Sequence, residues 1–341
     1  MKCNRSIDVH IVVIIRWTEQ STWILRQTIW SSILVSNNET PSTTTISERC
    51  SSRASRKFSR LMRERNYDEI VSIVLTQLEY GVRYFDLCVD QDCGEEREAL
   101  STLVRLLTPL GVNFMISSAD PEVAADIVLL TNNHCIVNCF AAFDSDKLNR
   151  SLAKACADTG AYVVVFPYAT GFDEVNVKHK ASRLIRHYEL TVDAGVSIDH
   201  VLFDPFIIPV VECPESAKKT LQVMRRVSAS IPQSKFLLGA NNFARQTKGQ
   251  LRSILLSFML EHFAREEMTH VLMNIRDVAT CDSFSQEHGR LVKNVIQYGD
   301  TPALNRLMEH YGQGQPSHQH AATCFDVERN YAQQYLHAMT Q

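Results

Sequence analysis

Short apolar runs alternate with longer stretches of helical period along most of this chain. The runs are rich in β-branched and aromatic residues and too short for buried helices, so each predicts a buried strand. We place strands at 43–48, 82–89, 112–117, 134–139, 161–166, 201–204, 235–238 and 270–274. The periodic stretches predict helices at 67–78, 95–107, 146–160, 175–194, 215–231, 248–265 and 284–296, with another opening at Asp120-Pro121.

Eight strands in alternation with eight helices favour an α/β fold, a closed (β/α)8 TIM barrel, over an open sheet. A chain of 341 residues can hold one such barrel, which we place at 42–312. Residues 1–41 then form an N-terminal extension, and 313–341 form a C-terminal tail with a short helix. No glycine-rich phosphate loop follows a strand, which disfavours a nucleotide-binding fold.

Polar side chains stand where several predicted strands end. Asp86 lies near the end of the second strand, Asn138 ends the fourth and Asp204 the sixth, and Asn241 and Asn242 follow the seventh. Because the carboxyl ends of barrel strands share one rim, we expect these groups to converge on one pocket. Amides and carboxylates without nearby cations suit a flat neutral ligand such as a pterin better than a phosphate. The alternative is that these side chains only cap the following loops.

Composition narrows the classes of function. A net charge of −3 gives no reason to expect nucleic-acid binding, and no apolar run reaches the roughly 20 residues of a membrane span. Ten cysteines without a CxxC pair indicate reduced thiols and a cytoplasmic protein, and no metal site is predicted. A short apolar run at 11–15 leaves a targeting segment within 1–41 open.

Six segments carry a family resemblance, and they occur in one order along the chain. They are Ile46–Cys50, Phe85–Asp90, Cys135–Asn138, Leu202–Ile208, Leu238–Asn242 and Leu272–Asn274. They resemble the folate-binding domain of cobalamin-dependent methionine synthase and the related methyltetrahydrofolate:corrinoid methyltransferases. The first is similar to the I-G-E-R-C opening of that family, and the fourth to its I-D-P-x-x-L signature. The resemblance runs from about Thr45 to Gln313 and implies a dihydropteroate-synthase-like, pterin-binding barrel.

The resemblance also implies roles for individual residues. Asp204 matches the aspartate that accepts hydrogen bonds from the amino and ring N–H groups of the pterin. Asn138 matches an asparagine that contacts the same ring. Asn242 matches the asparagine that approaches N5, the nitrogen carrying the methyl group, and is the expected catalytic residue. The other matched positions expected near the ring are Glu48, Asp86, Ser117 and Asn274.

The implied reaction moves the N5 methyl group of 5-methyltetrahydrofolate to cob(I)alamin, as in methionine synthesis. No D-x-H-x-x-G cobalamin-ligand motif occurs in the sequence, so the corrinoid is expected on a separate protein or module. The expected partners are therefore a small-molecule folate and a corrinoid-carrying protein, with no nucleic acid and no membrane. A homodimer is one option for the assembly.

Three positions depart from the family pattern. Ser51 and Cys88 stand where the family has Asn, and Ser117 stands where it has Asp. Losing an acceptor opposite a buried N–H costs about 1–3 kcal/mol, so a second hypothesis is a non-catalytic, pterin-binding or regulatory barrel. A third is dihydropteroate synthase, which shares the barrel but acts on a pyrophosphate ester. The lysine normal in its seventh-strand turn is missing from 241–245, where Arg245 is the substitute cation.

Overall fold

Eight parallel strands close into a barrel. The computed structural model describes residues 43–313 except 91–92, 132–133, 140–141, 145–146, 168–175 and 280, together with residue 333. The strands are β1 (Thr44–Ser47), β2 (Tyr84–Leu87), β3 (Asn113–Ser117), β4 (Ile136–Asn138), β5 (Phe143–Asp144), β6 (Lys147–Leu148), β7 (Tyr162–Val165), β8 (Val201–Phe203), β9 (Lys235–Gly239) and β10 (Met268–Met273). The barrel order is β1-β10-β9-β8-β7-β4-β3-β2, and β5 pairs with β6 in a separate antiparallel sheet. All eight predicted strands are confirmed, and so is the barrel.

Helices follow every barrel strand. They are α1 (Arg56–Arg63), α2 (Tyr67–Glu79), α3 (Glu96–Leu107), α4 (Pro121–Val128), α5 (Arg150–Thr159), α6 (Val177–Asp193), α7 (Ser216–Ser230), α8 (Ala240–Phe243), α9 (Gly249–Ala264), α10 (Gln286–Tyr298) and α11 (Thr301–His310). The eight predicted helices are confirmed as α2 to α7, α9 and α10. The apolar period did not reveal α1, α8 and α11, each of which has ten residues or fewer.

Most element boundaries differ from the prediction by one to four residues, and two of these differences have a clear local cause. The helix predicted from 146 begins at Arg150, because the side chain of Asn149 accepts a hydrogen bond from Leu152 N at 2.9 Å and caps the helix there. The last strand ends at Met273 rather than 274, because Asn274 caps a one-turn 3-10 helix at Ile275–Asp277.

Side chains alternate between the inside of the barrel and the layer beneath the helices. The interior cluster includes Ile136 and Leu202, whereas Val137 and Phe203 belong to the outer cluster. Asn138 and Asp204 each follow an interior residue by two positions and therefore face the barrel mouth, as the strand period predicts. The barrel thus brings residues from distant parts of the chain to one end.

Most described cysteines are buried free thiols, but one is not. Cys50, Cys88, Cys93, Cys135, Cys139, Cys156 and Cys281 are free. Cys213 is disulfide-bonded, so the expectation of reduced thiols is wrong at this position. Pairing cannot be deduced from cysteine spacing alone.

The two ends of the chain were predicted as separate segments. The extension at 1–41, and the tail at 313–341 with its short helix, lie outside the described residues apart from 313 and 333. Within the described ranges, no helix is long and apolar enough to cross a membrane.

Candidate active site

A chain of hydrogen bonds crosses three neighbouring strands at the carboxyl end of the barrel. Ser117 Oγ donates to Asp86 Oδ1 at 2.5 Å and accepts from Asn138 Nδ2 at 2.8 Å. The register places Ser117 opposite Asn138, and all three side chains are buried. Ser117 therefore uses its hydroxyl on protein partners and holds the Asn138 amide in one orientation. The second N–H and the carbonyl oxygen of Asn138 make no hydrogen bond to another described residue and can serve a ligand.

The three departures from the family pattern surround Asp86. Ser117 and Ser51 both hydrogen-bond the Asp86 carboxylate, and Ser51 forms a parallel backbone bridge with Cys88. Burial raises the pKa of Asp86 to about 6, while the hydrogen bonds from Ser117 and Ser51 and the charge of Arg53 oppose that rise. Asp86 is therefore mostly ionised at neutral pH, and the altered residues help to keep it so.

Glu48 shares the rim with Asp86 but has the opposite protonation state. It follows β1 directly and is buried, and its carboxyl makes no hydrogen bond to another described residue. Burial, together with the nearby Asp86 charge, raises the pKa of Glu48 to about 8, and the charge of Arg252 opposes the rise. Two carboxyl groups whose pKa values are pushed apart can divide the roles of proton donor and acceptor. Glu48 is the proton-bearing member at neutral pH.

Asp204 directly follows β8. Its backbone N–H donates to Val165 O of β7 at 3.0 Å, and its Oδ1 accepts from Phe206 N at 2.7 Å. The residue is half-buried. Burial raises the pKa of Asp204 to about 7, whereas the Phe206 N–H and the Lys180 charge lower it. Asp204 is thus about half ionised at neutral pH, and a ligand edge rich in N–H donors would favour its ionised form.

Asn242 lies on α8, immediately after β9. A Cβ atom on Gly239 would stand 2.9 Å from Asn242 Nδ2, so the amide lies against the backbone where β9 ends. The Asn242 side chain makes no hydrogen bond to another described residue. The neighbouring Asn241 instead accepts a hydrogen bond from Arg252, which also donates to Ala244 O at 2.9 Å and pairs with Asp277 at 2.8 Å. Arg252 thereby secures the turn and leaves the Asn242 amide available.

Asn274 has a different role from the other matched residues. Its Nδ2 donates to Asp277 Oδ1 at 2.9 Å, and its Oδ1 accepts from Arg276 N at 3.3 Å. These bonds cap the turn after β10, as the alternative reading of such side chains predicts. Its place at the rim matches the expectation, but part of its hydrogen-bonding capacity serves the local backbone.

The barrel thus joins Asp86, Ser117 and Asn138 in direct contact and places Glu48, Asp204 and Asn242 at the ends of their own strands. Sequence reasoning missed two basic residues behind this rim, Lys180 on α6 and Arg252 on α9. Both lie on helices, where the strand-end signal does not apply. Within the described ranges, no group of three or more His, Cys, Asp or Glu side chains could hold a metal ion.

A family sequence model described as pterin binding enzyme matches residues 50–294, which is more than half of the chain. The chain therefore belongs to the pterin binding enzyme family. This membership confirms the expected pterin-binding barrel. Membership of this family agrees with the methionine-synthase resemblance at the level of pterin binding, and it does not extend to that specific family.

Several solved structures are similar in fold. The dihydropteroate synthase of Burkholderia cenocepacia has 16% sequence identity and a TM-score of 0.49, covering 79% of this chain and 94% of that chain. The dihydropteroate synthase of Thermus thermophilus has 16% identity and a TM-score of 0.45, covering 70% and 90%. The Yersinia pestis enzyme has 13% identity and a TM-score of 0.46, covering 80% and 94%.

Proposed function

We propose that the barrel mouth binds a reduced pterin and that the protein is a pterin-dependent transferase. The observation that carries this proposal is the hydrogen-bonded chain from Asn138 through Ser117 to Asp86, beside Asp204 at the same end of the barrel. An amide held in one orientation and carboxylates at the same rim match the alternating donors and acceptors of a pterin ring. Family membership supports the ligand class.

The pyrimidine edge of the pterin is assigned to Asp204. An ionised carboxylate can accept two parallel N–H bonds from the amino group and ring nitrogen of that edge. Asp204 Oδ1 already accepts from Phe206 N, and each carboxylate oxygen has a second lone pair for a ligand. Asn138 then contacts the same ring through its remaining N–H and carbonyl oxygen.

The proposed reaction is transfer of the N5 methyl group of 5-methyltetrahydrofolate to cob(I)alamin on a separate corrinoid protein. The N5–CH3 bond breaks and the methyl group passes to the cobalt nucleophile. The bonding electron pair stays on N5, which takes up a proton. The Asn242 amide can donate a hydrogen bond to N5 that strengthens as charge develops there. Glu48, protonated at neutral pH, is a proton source at the same rim.

A second candidate is dihydropteroate synthase, the activity named for the similar structures described above. The observation that favours it within this chain is Arg245, a cation three residues after Asn242 that could meet a pyrophosphate. The negative charge of Asp86 and the partial charge of Asp204 at the rim weigh against a substrate with that much negative charge, whereas Glu48 is protonated at neutral pH. Cys88 after the second strand and Ser117 on the third, which depart from the methyltransferase pattern, do not distinguish the two reactions.

A third candidate is a pterin-binding barrel without catalysis, suggested by Ser51, Cys88 and Ser117. In the structure these residues form hydrogen bonds or a backbone bridge around Asp86 rather than leaving gaps. That arrangement supports retained ligand binding. It bears less on catalysis, for which Asn242 is the critical group.

One set of measurements on a single preparation separates the three candidates. Calorimetry with 5-methyltetrahydrofolate measures binding, the absorbance change of cob(I)alamin measures methyl transfer, and labelled p-aminobenzoate with dihydropterin pyrophosphate measures synthase activity. We expect binding and methyl transfer. Synthase activity alone would favour the second candidate, and binding without either reaction would favour the third. Failure to bind any pterin would overturn the proposal.

A further inference from the structure

A buried lysine stands behind the Asp204 turn. Lys180 lies on the inward face of α6 and is only 6% exposed, which is rare for a lysine. Its Nζ donates to the backbone oxygen of Phe206 at 3.1 Å. A desolvated ammonium group is costly unless it has close polar partners. The burial of Lys180 therefore suggests that its charge or its hydrogen bond has a specific role.

The Asp204-Pro205-Phe206 turn is unusual in backbone conformation. Phe206 has a positive φ of 58°, a left-handed conformation that bulky residues rarely adopt. Its N–H is bound by Asp204 Oδ1 and its oxygen by Lys180 Nζ. Its ring packs within the interior cluster of the barrel. Phe206 is thus held through its N–H, its carbonyl oxygen and its side chain, as strained residues at ligand sites often are.

Lys180 also acts on Asp204 through its charge. Its positive charge lowers the pKa of Asp204, against the rise that burial causes. The other basic group on the buried face of α6 is His187, whose Nδ1 bonds to Phe166 O at 2.6 Å. The interior neighbours on β7 and β9 are apolar and include Val164 and Leu237. Among the described residues, Lys180 is therefore the charge that acts on the Asp204 carboxylate.

We propose that Lys180 is a positioning residue that clamps the turn at Phe206 and keeps the Asp204 carboxylate ionised for the pterin. The consequence for pterin binding rests on the proposed function, whereas the effect of Lys180 on Asp204 does not. Two properties of one side chain are involved, its hydrogen bond to Phe206 O and its charge. Different substitutions can separate them.

The test measures Asp204 directly in the protein without ligand. Carbon-13 NMR of labelled aspartate carboxyls follows the titration of Asp204, whose signal is assigned from its loss in Asp204→Asn. Lys180→Gln keeps a hydrogen-bond donor but removes the charge, and Lys180→Arg keeps both. Lys178→Gln, at an exposed position on the same helix, is the matched control. Lys180→Met is a second uncharged variant in case the glutamine variant does not fold.

We expect the pKa of Asp204 to rise by about one unit in Lys180→Gln and to stay near the wild-type value in Lys180→Arg and Lys178→Gln. The affinity for 5-methyltetrahydrofolate should then fall about fivefold at pH 7, because the ionised fraction of Asp204 drops from about one half to about one tenth, and should recover as the pH is raised well above the new pKa. A purely structural role would weaken binding equally at every pH.

The outcomes separate the two proposals. An unchanged pKa of Asp204 in both uncharged variants would overturn the role of Lys180, even if the wild-type protein binds the folate. A raised pKa together with no pterin binding by the wild-type protein would support Lys180 and overturn the proposed function. A binding loss that is the same at all pH values would also overturn the electrostatic role.

Discussion

The two sides of the barrel mouth hold their polar groups in different ways. On the side of β2 to β4, Asp86, Ser117 and Asn138 are bonded to one another across strands, so the barrel itself sets their positions. On the side of β8 and β9, Asp204 is held by its own turn and Asn242 lies against Gly239. The first side is a connected unit, and the second is a pair of independent groups.

This difference predicts how each side responds to substitution. A substitution at a residue that bonds to its neighbours also alters those neighbours, whereas a substitution at an isolated residue has a local effect. A change at Ser117 should therefore affect both stability and ligand binding. A change at Asp204 or Asn242 should affect ligand binding or chemistry and leave the fold almost untouched.

The largest effect is expected from Asp204→Asn. The amide replaces an ionised acceptor with a neutral group that presents one acceptor and one donor to the N–H edge of the pterin. The affinity for 5-methyltetrahydrofolate, measured by calorimetry, should fall on the order of 100-fold, since hydrogen bonds to charged groups are worth about 1.5–3 kcal/mol each. The unfolding free energy should change by less than about 1 kcal/mol. Unchanged affinity would remove Asp204 from the site.

Asn242→Ala should act on rate rather than binding. Its donor matters most as charge develops on N5, so the rate of methyl transfer should fall by about 10- to 100-fold while the dissociation constant moves much less. Single-turnover kinetics with cob(I)alamin measures the rate, and calorimetry measures binding. Equal losses in both quantities would contradict the assigned role. Asn241→Ala, next to it, reports what disturbing the turn alone does.

Ser117→Ala tests the connected side. It leaves Asp86 and the Asn138 amide without their shared partner, which should lower the unfolding free energy by about 1–3 kcal/mol and pterin affinity by about tenfold. The matched control is Ser118→Ala, because Ser118 is also buried but bonds to Asp120 in the following loop. Its loss should lower stability without weakening the ligand. If both variants bind the pterin normally, the chain from Asn138 to Asp86 is structural only.

The smallest effect on pterin affinity is expected from Glu48→Gln, whose main consequence is a change in the pH dependence of stability. The folded-state pKa of Glu48 is raised to about 8, so its contribution is fully present below its unfolded pKa near 4.5 and is lost as the pH rises through about 8. The glutamine does not titrate. Relative to wild type, the variant should therefore gain stability as the pH rises from about 5 to about 9, by up to several kcal/mol in urea unfolding, since each pKa unit is worth about 1.4 kcal/mol. A difference that is the same at both pH values would show that Glu48 does not titrate in that window.

The barrel and the convergence of its strand ends were predictable because both depend on local patterns. The two-residue strand period put Asn138 on the face of Ile136 and Asp204 on the face of Leu202, and Ile136 and Leu202 both lie in the interior cluster. Four-residue to eight-residue apolar runs separated by helical period were enough to count the strands.

The contacts between strands were not predictable in the same way. The bond from Ser117 to Asp86 depends on how β2 and β3 align, with Asp86 opposite Met115, and no single segment encodes that register. Lys180 and Arg252 lie on helices far from the strand ends in sequence. Asn274 shows the converse, since a side chain in the expected place is partly engaged by its own turn.

Gly239 determines where the Asn242 side chain lies, because glycine has no Cβ atom. The carboxamide can rest on the end of β9 only because no methyl group projects there, and a Cβ atom would meet Nδ2 at 2.9 Å. Any larger residue at 239 would tilt the amide away while leaving its chemistry intact. The orientation of the Asn242 amide thus depends on a glycine three residues earlier in the chain, and a search limited to polar residues would not find it.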